Sequence, residues 1–317
     1  MPYIYLTRER KILIALLSLL LALQPLLYLA TAGRAALERS KERIGYGVVI
    51  IKSIRINSVL LSSVILAMLP YAIVDYLNRR YLDSVDRSLA PFFKGLAEAI
   101  RAGMPFLKAL ESVSRITAGP LGREMERVVV RVEFGSSIEE ALRDLAERLN
   151  IPSIRRAVTI MLTAHESGGK VVDVLDTAAE MQALLRAYEE ERRTQVAPYA
   201  WIVYIAIGLF LAISFILIFA FLEPLSALAS GAGRIPVSKI DVGTYKAILF
   251  VTSALQALLG GLIVGKLRSG SVYAGFVHSI ILSLAVIAFF NFIDVYGPEV
   301  GGAIFPVPTR PRILPGP

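Results

Sequence analysis

Five long apolar stretches constrain this chain more than any other feature of its sequence. They are almost free of charged residues and run over Ile12 to Ala32, Ile56 to Leu77, Pro198 to Leu222, Ala247 to Gly265 and Val272 to Ile293. Each reaches the roughly 20 residues that a helix needs to cross a hydrocarbon layer about 30 Å thick. Because backbone polar groups in lipid must be satisfied within the segment, the stretches are predicted to be helices. The sequence therefore predicts an all-α, polytopic membrane protein with about five transmembrane helices.

The first stretch resembles a secretory signal in having basic residues before it, Arg8, Arg10 and Lys11. Its apolar core of about 18 residues is longer than the apolar region of an ordinary signal peptide. We therefore interpret it as an uncleaved anchor, which pairs with the second stretch in a transmembrane hairpin over residues 1–80.

The positions of basic residues predict the orientation of the chain in the inner (cytoplasmic) membrane. Basic pairs flank three of the stretches, namely Arg79 with Arg80, Arg192 with Arg193, and Lys266 with Arg268. The positive-inside rule places all three pairs in the cytoplasm, so the N-terminus and residues 81–197 lie inside and the C-terminus lies outside. Residues 33–55 oppose this arrangement, because they carry six Lys or Arg and two Glu yet face outward. Either this loop tolerates its charge or the first hairpin does not fully cross.

The charge balance of the segment between the second and third stretches argues against nucleic-acid binding. Residues 78–197 contain 18 Lys or Arg and 18 Asp or Glu, so the formal net charge of +8 comes from segments that flank the membrane. A basic face, as nucleic-acid binding requires, is therefore not expected. Basic residues next to membrane spans instead favour contact with anionic lipid headgroups.

Helix start and stop signals recur through residues 81–197 and predict a cytoplasmic bundle of six helices. In the first helix the apolar side chains recur at helical spacing, at Leu89, Phe92, Phe93, Leu96, Ala97 and Ile100. Gly103 follows it at the position of a left-handed C-terminal cap. In the fourth helix Ser136 and Ser137 are candidate caps before a clear apolar stripe. Three more transmembrane helices fill residues 198–300, and residues 301–317 form a Pro-rich tail.

The residue types that most enzymes and metal sites need are scarce in this chain. It has no cysteine and two histidines, His165 and His278. Neither a P-loop nor a Gly-x-Gly-x-x-Gly motif occurs, and no serine or histidine arrangement indicates an activated nucleophile. We therefore expect no enzymatic activity, no metal and no cofactor.

Four polar side chains lie inside the apolar stretches: Asn57, Gln256, His278 and Asn291. Ionisable groups inside a membrane are often functional, so a small-solute transporter or channel with a cytoplasmic regulatory domain is an alternative function. It requires His278, Gln256 and Asn57 to meet in one cavity. In the fourth stretch Gly260, Gly261 and Gly265 have spacings that permit close helix packing, which we interpret as an assembly surface.

Three glycine-marked joints in the helical domain carry a recognisable pattern. Its residues are Leu96, Ala102, Gly103, Pro105, Phe106, Ala109 and Leu110; Gly135, Ser136, Glu140, Ala141, Leu142 and Leu145; and Ala164, Ser167, Gly168, Gly169, Val174 and Leu175. The pattern resembles the F domain of type II secretion systems, which is shared by platform proteins of type IV pili, tight-adherence pili (TadC-like proteins) and the archaellum. Gly265, Lys266, Gly275, His278 and Ser279 resemble the archaeal branch in addition.

The resemblance implies a non-enzymatic membrane platform of a type IV filament machine. Its cytoplasmic helices would meet a hexameric secretion ATPase, and its spans would receive prepilin-like subunits. Many members carry two such domains and this chain has one, which implies a homodimer or pairing with a second F-domain protein. From exposure and charge we predict Arg155, Arg156 and Lys170 as ATPase contacts, whereas the family-motif residues Gly103, Pro105, Gly135, Ser136, Glu140, Ser167, Gly168 and Gly169 are expected to be structural.

Overall fold

The computed structural model of the chain describes residues 8–32, 41–44, 48–226 and 241–304. Packing divides these residues into a helical domain, Val74–Gln195, and a membrane unit that comprises the rest. Residues 305–317, most of the predicted Pro-rich tail, lie outside the described residues, as do residues 1–7 at the N-terminus. The domain limits at residues 80, 197 and 300 stay predictions of the sequence.

The membrane unit contains the helices that the apolar stretches predict. They are α1 (Arg8–Ala32), the first part of α2 (Ile54–Arg101), the second part of α7 (Val171–Ile216), α8 (Val242–Ser269) and α9 (Gly275–Ile304). By length and composition, the helices at Ile54–Arg101, Gly168–Ser226, Val242–Ser269 and Val272–Gly297 are able to cross a membrane. In α1 the apolar helix spans only Ile12–Leu27 of the described residues. The prediction of an all-α, polytopic membrane protein is confirmed, with four clear spans.

A short β-hairpin lies between α1 and α2, in the segment that the sequence analysis treated as a basic loop. Strand β1 (Lys41–Ile44) pairs antiparallel with β2 (Val48–Ile51), with Lys41 opposite Ile51. Lys52, directly after β2, forms an ion pair with Asp241, the N-cap of α8. This ion pair links the end of the hairpin to the start of α8.

Helices α8 and α9 pack so closely that a methyl group does not fit between them. A Cβ on Gly265 would lie 1.9 Å from the backbone nitrogen of Gly275, and one on Gly261 would lie 2.3 Å from that of Ser279. Gly260 instead faces Val203 of α7, where a Cβ would approach within 2.9 Å. The three glycines predicted as an assembly surface are therefore occupied by helices of the same chain. Close approach of this kind favours helix packing in membranes because it increases van der Waals contact.

Hydroxyl and amide side chains join other helices of the membrane unit. Ser18 of α1 donates to the carbonyl of Ala67 in α2 at 2.5 Å, and Ser63 donates to that of Ala22 at 2.7 Å. Helix α7 continues into a π-helical segment, Leu217–Leu222. The ring of Phe219 in this segment is buried, and a Cβ on Gly297 of α9 would lie 2.6 Å from it.

The helical domain is the predicted bundle of six helices. Its members are the second part of α2, α3 (Phe106–Ile116), α4 (Pro120–Glu133), α5 (Ile138–Leu149), α6 (Pro152–Glu166) and the first part of α7. All six contribute to one apolar core, and its largest buried side chains include Phe92, Phe93, Leu96, Leu110, Leu121, Met125, Leu142 and Leu145. The predicted stripes of α2 and α5 thus face the core. The first domain helix and the second span, which the sequence analysis described separately, are one helix of 48 residues.

Candidate functional site

The first two glycine joints of the helical domain are helix C-caps with the same geometry. Gly103 ends α2 with a φ of +90°, and Gly135 follows α4 with a φ of +103°. At the first joint Gly103 N donates to Ile100 O at 2.9 Å and Met104 N donates to Ala99 O at 3.2 Å. This pair of bonds is the Schellman motif, which satisfies carbonyls at the end of a helix. The left-handed cap predicted at Gly103 is confirmed.

The N-cap of the next helix lies two residues after each of these glycines. Pro105 is the N-cap of α3. At the second joint Ser136 N donates to Arg131 O at 3.2 Å and completes the second Schellman motif. The hydroxyl that caps α5 belongs to Ser137, whose Oγ accepts from the backbone nitrogen of Glu140 at 3.1 Å. Of the two serines that the sequence offered as caps, the motif residue Ser136 therefore acts through its backbone and Ser137 through its side chain.

The third motif joint lies between α6 and α7. Ser167 ends α6 and its Oγ donates to Ala164 O at 2.7 Å. Gly168 follows with a φ of +59°, whereas Gly169 has an ordinary φ, and a Cβ on either would meet nothing within 4 Å. Two further joints that the sequence analysis did not single out also contain positive φ angles, +95° at Gly119 and +43° at Asn150. Each precedes a helix that starts with proline, and the Gly119–Pro120 dipeptide was the signal that could have revealed the first.

The three predicted ATPase contacts are exposed but do not lie together. Arg155 and Arg156 are in the first turn of α6, and Lys170 follows the end of this helix. Helix α6 continues for ten residues beyond Arg156, about 15 Å at a rise of about 1.5 Å per residue, before the joint that contains Lys170. None of the three forms an ion pair with a residue that the structure describes. They are therefore unpaired cations at opposite ends of α6.

A groove between α4 and α5 presents a cluster of arginines that the sequence analysis missed. It has a volume of about 560 Å³, and its lining includes Arg123, Arg127 and Arg131 of α4 with Arg148 of α5. The spacing of four residues on α4, which places side chains on one helix face, was the available signal. Most of these guanidinium groups form ion pairs within the domain.

Glu124 links α4 to α5 from a largely buried position. Its Oε1 accepts from Arg127 at 2.7 Å and its Oε2 accepts from Arg148 at 2.6 Å, while 11% of its side chain is exposed. Arg131 forms a further ion pair with Asp144. Hydrogen bonds to a charged group are stronger than neutral ones, and here they join two helices. The groove is thus a structural ion-pair network, with Arg123 at its edge.

His165 also joins helices of the domain. Its ring centroid lies 4.9 Å from that of Phe106 in α3, and its Nε2 lies 3.3 Å from Oε1 of Glu139 in α5. Hydrogen bonding to backbone N–H at the start of α5, together with Ser137 and His165, holds the pKa of Glu139 below its usual value. Three helices therefore meet at this histidine.

The polar residues of the spans occupy separate places in the membrane unit. Asn57 donates to Ile51 O at 2.8 Å, and Asn291 donates to Ser58 Oγ at 2.9 Å. His278 lies 13 residues before Asn291 on α9, about 20 Å along the helix axis. Asn57 is next to Ser58, the partner of Asn291, so His278 and Asn57 are at different depths. Gln256 is half-buried on α8. The cavity that the transporter alternative requires between His278 and Asn57 is not formed.

The described residues contain no group of three or more His, Asp or Glu that could hold a metal ion. Two polar side chains of the spans, His278 and Asn291, instead pair with neighbouring helices. His278 Nδ1 lies 2.7 Å from the hydroxyl of Tyr204 in α7.

Comparison with known proteins agrees with this architecture. The family model for "Type II secretion system (T2SS), protein F" matches residues 92–219, which run from the core of the helical domain into the third span. An uncharacterized protein of Methanocaldococcus jannaschii is 23% identical over 201 residues, which are 63% of this chain and 32% of that protein. The chain therefore spans about a third of the length of this relative. No solved structure matches the chain. Over residues 92–219 the chain is therefore similar to the type II secretion system protein F family.

Proposed function

We propose that this chain is the membrane platform of a type IV filament machine, either a pilus, an archaellum or a secretion apparatus. It couples a hexameric secretion ATPase in the cytoplasm to the insertion of pilin-like subunits at its membrane spans. The F domain supports a membrane platform role in secretion or pilus systems. In this proposal the N-terminus and the helical domain face the cytoplasm and the C-terminus lies outside, as the basic pairs predict.

One observation carries the proposal: the first and last helices of the domain are continuous with membrane helices. Helix α2 runs from Ile54 to Arg101, and α7 runs from Val171 to Ile216. No loop interrupts either helix, so force applied at the domain can reach the span along a helix. Pro198 interrupts the hydrogen bonding of α7 and provides a position at which this helix can bend.

We expect the ATPase to contact the cations at the two ends of α6. Arg155, Arg156 and Lys170 are exposed and form no ion pair with described residues. The arginines of the α4–α5 groove are mostly engaged with Glu124 and Asp144, so a partner would have to replace internal ion pairs there. Unpaired surface cations attract an acidic partner at a lower desolvation cost.

The chain has one F domain, and we propose that it works as a dimer with itself or with a second F-domain protein. Native mass spectrometry of the purified membrane protein should show a two-chain species. Monomers alone, in the absence and presence of co-expressed F-domain proteins, would contradict this part of the proposal.

Deletion of the gene tests the function itself. We expect the deletion strain to lose one class of surface filament or secreted protein, and complementation with the full chain to restore it. Loss of solute uptake with normal filaments and secretion would overturn the proposal. Flux through proteoliposomes containing the purified chain would then support the transporter alternative.

A further inference from the structure

A pocket at one end of the membrane unit has the composition of a phosphate site. Its volume is about 330 Å³, and its lining includes Ala197, Ala200, Trp201 and Tyr204 of α7, Arg268 of α8 and His278 of α9. The small side chains of the two alanines leave space between the helices. The six residues include one permanent cation, two aromatic groups with hydrogen-bonding atoms, one histidine and no carboxylate.

The pocket lies at the end of the spans, where lipid headgroups are found. Arg268 is in the last turn of α8, which ends at Ser269, and His278 is in the first turn of α9. Trp201 is 68% exposed on the flank of α7. Tryptophan and tyrosine are enriched at membrane interfaces because their rings are amphipathic. Ile205, also exposed on α7, extends the apolar surface beside Tyr204.

The polar groups of the pocket are suited to an anion. Arg268 is exposed and forms no ion pair within the described part of the chain. The Tyr204 hydroxyl and His278 Nδ1 share a hydrogen bond of 2.7 Å. When Tyr204 donates this bond, the imidazole carries its proton on Nε2, which is then a donor for a further acceptor. Guanidinium binds phosphate oxygens in a bidentate manner, and the indole N–H adds a third kind of donor.

We propose that this pocket binds a phosphate group, carried by a membrane lipid headgroup or by a soluble compound. Arg268 provides the charge, while Tyr204 holds the His278 ring in position to donate. Basic pockets between transmembrane helices are recognised sites for anionic headgroups. This inference does not depend on ATPase coupling or on filament assembly.

The chain contains one tryptophan, Trp201, so tryptophan fluorescence comes from a residue that lines this pocket. The full chain in a non-ionic detergent is titrated with short-chain phosphatidylglycerol, with the diacylglycerol of equal chain length, and with inorganic phosphate. We expect a saturable change in Trp201 emission with phosphatidylglycerol and none with diacylglycerol. Equal affinity for inorganic phosphate would identify a soluble ligand, whereas much weaker binding would identify the lipid.

Two variants and a matched control make the result specific. Arg268→Gln should weaken binding by about tenfold or more, because it removes a charge-assisted contact. His278→Gln should weaken it by a few fold. Lys266→Gln removes an equal charge two residues away, outside the pocket lining, and should bind as the unmodified chain does. Equal responses to the two lipids, or equal losses in Arg268→Gln and Lys266→Gln, would overturn the proposal.

Discussion

At Gly135 the backbone angle alone dictates the residue. Its φ is +103°, and a Cβ there would meet nothing within 4 Å, so steric space is not the constraint. A side chain disfavours positive φ because it approaches the backbone carbonyl. A Cβ on Gly169 would also meet nothing within 4 Å, but the φ of Gly169 is not positive.

Replacement of these two glycines by valine separates the contributions of angle and space. We expect Gly135→Val to lower the free energy of unfolding by about 1–2 kcal/mol or more, because the Schellman cap requires the left-handed angle. Gly169→Val, the matched control, should change it by less than about 0.5 kcal/mol. Thermal unfolding of the detergent-solubilised chain, followed by far-UV circular dichroism, measures both. Equal stability of the two variants would refute this explanation of the cap.

Gly265 illustrates the opposite case, in which space and not angle is limiting. A Cβ there would lie 1.9 Å from Gly275 N, so even alanine must push α8 and α9 apart. We expect Gly265→Ala to lower the free energy of unfolding by about 1–3 kcal/mol. Gly208→Ala is the control within a span, because nothing lies within 4 Å of its Cβ position. Thermal unfolding followed by circular dichroism measures both variants. Similar melting temperatures would contradict the prediction, because they would show that moving α8 away from α9 does not lower stability.

Among the elements, the short helices of the domain were the most predictable from sequence. Their ends are marked by local signals, such as Gly103 and Gly135 at the C-caps and Pro105 before α3, which act within a few residues. The continuity of α2 was not predictable in the same way. No glycine lies between Ile56 and Lys94, but Pro70 and Pro91 lie within the helix and suggest interruptions that packing overrides.

The start of α5 allows a test of which serine supplies the cap. Ser137→Ala should cost about 1 kcal/mol of stability, because the Glu140 backbone nitrogen loses its acceptor. Ser136→Ala should cost less, since Ser136 contributes its backbone nitrogen to the preceding cap. Chemical denaturation of the full chain compares the two variants. A larger effect at Ser136 would assign the cap to the motif residue instead.

At the scale of the whole molecule, the sequence predicts the spans and the bundle but not which residues pair across helices. Arg123, Arg127 and Arg131 form a visible spacing, yet the ion pairs of Arg131 with Asp144 and of Arg148 with Glu124 depend on how α4 packs on α5. Likewise, Gly261 and Gly265, which the sequence predicts as part of an assembly surface, pack against α9 of the same chain. Contacts between residues far apart in the sequence have no local sequence signal, so they are visible only in the structure.

The association of the full chain with a hexameric secretion ATPase tests the platform account most directly. The chain is placed in lipid nanodiscs, and ATPase binding is measured for the unmodified protein and for charge-reversal variants. We expect binding to fall by about tenfold or more in the double variant Arg155→Glu, Arg156→Glu and to fall in Lys170→Glu, with domain helicity unchanged. Arg123→Glu, at the edge of the α4–α5 groove, is the exposed-cation control and should retain binding. Absence of ATPase binding by the unmodified chain would contradict the account.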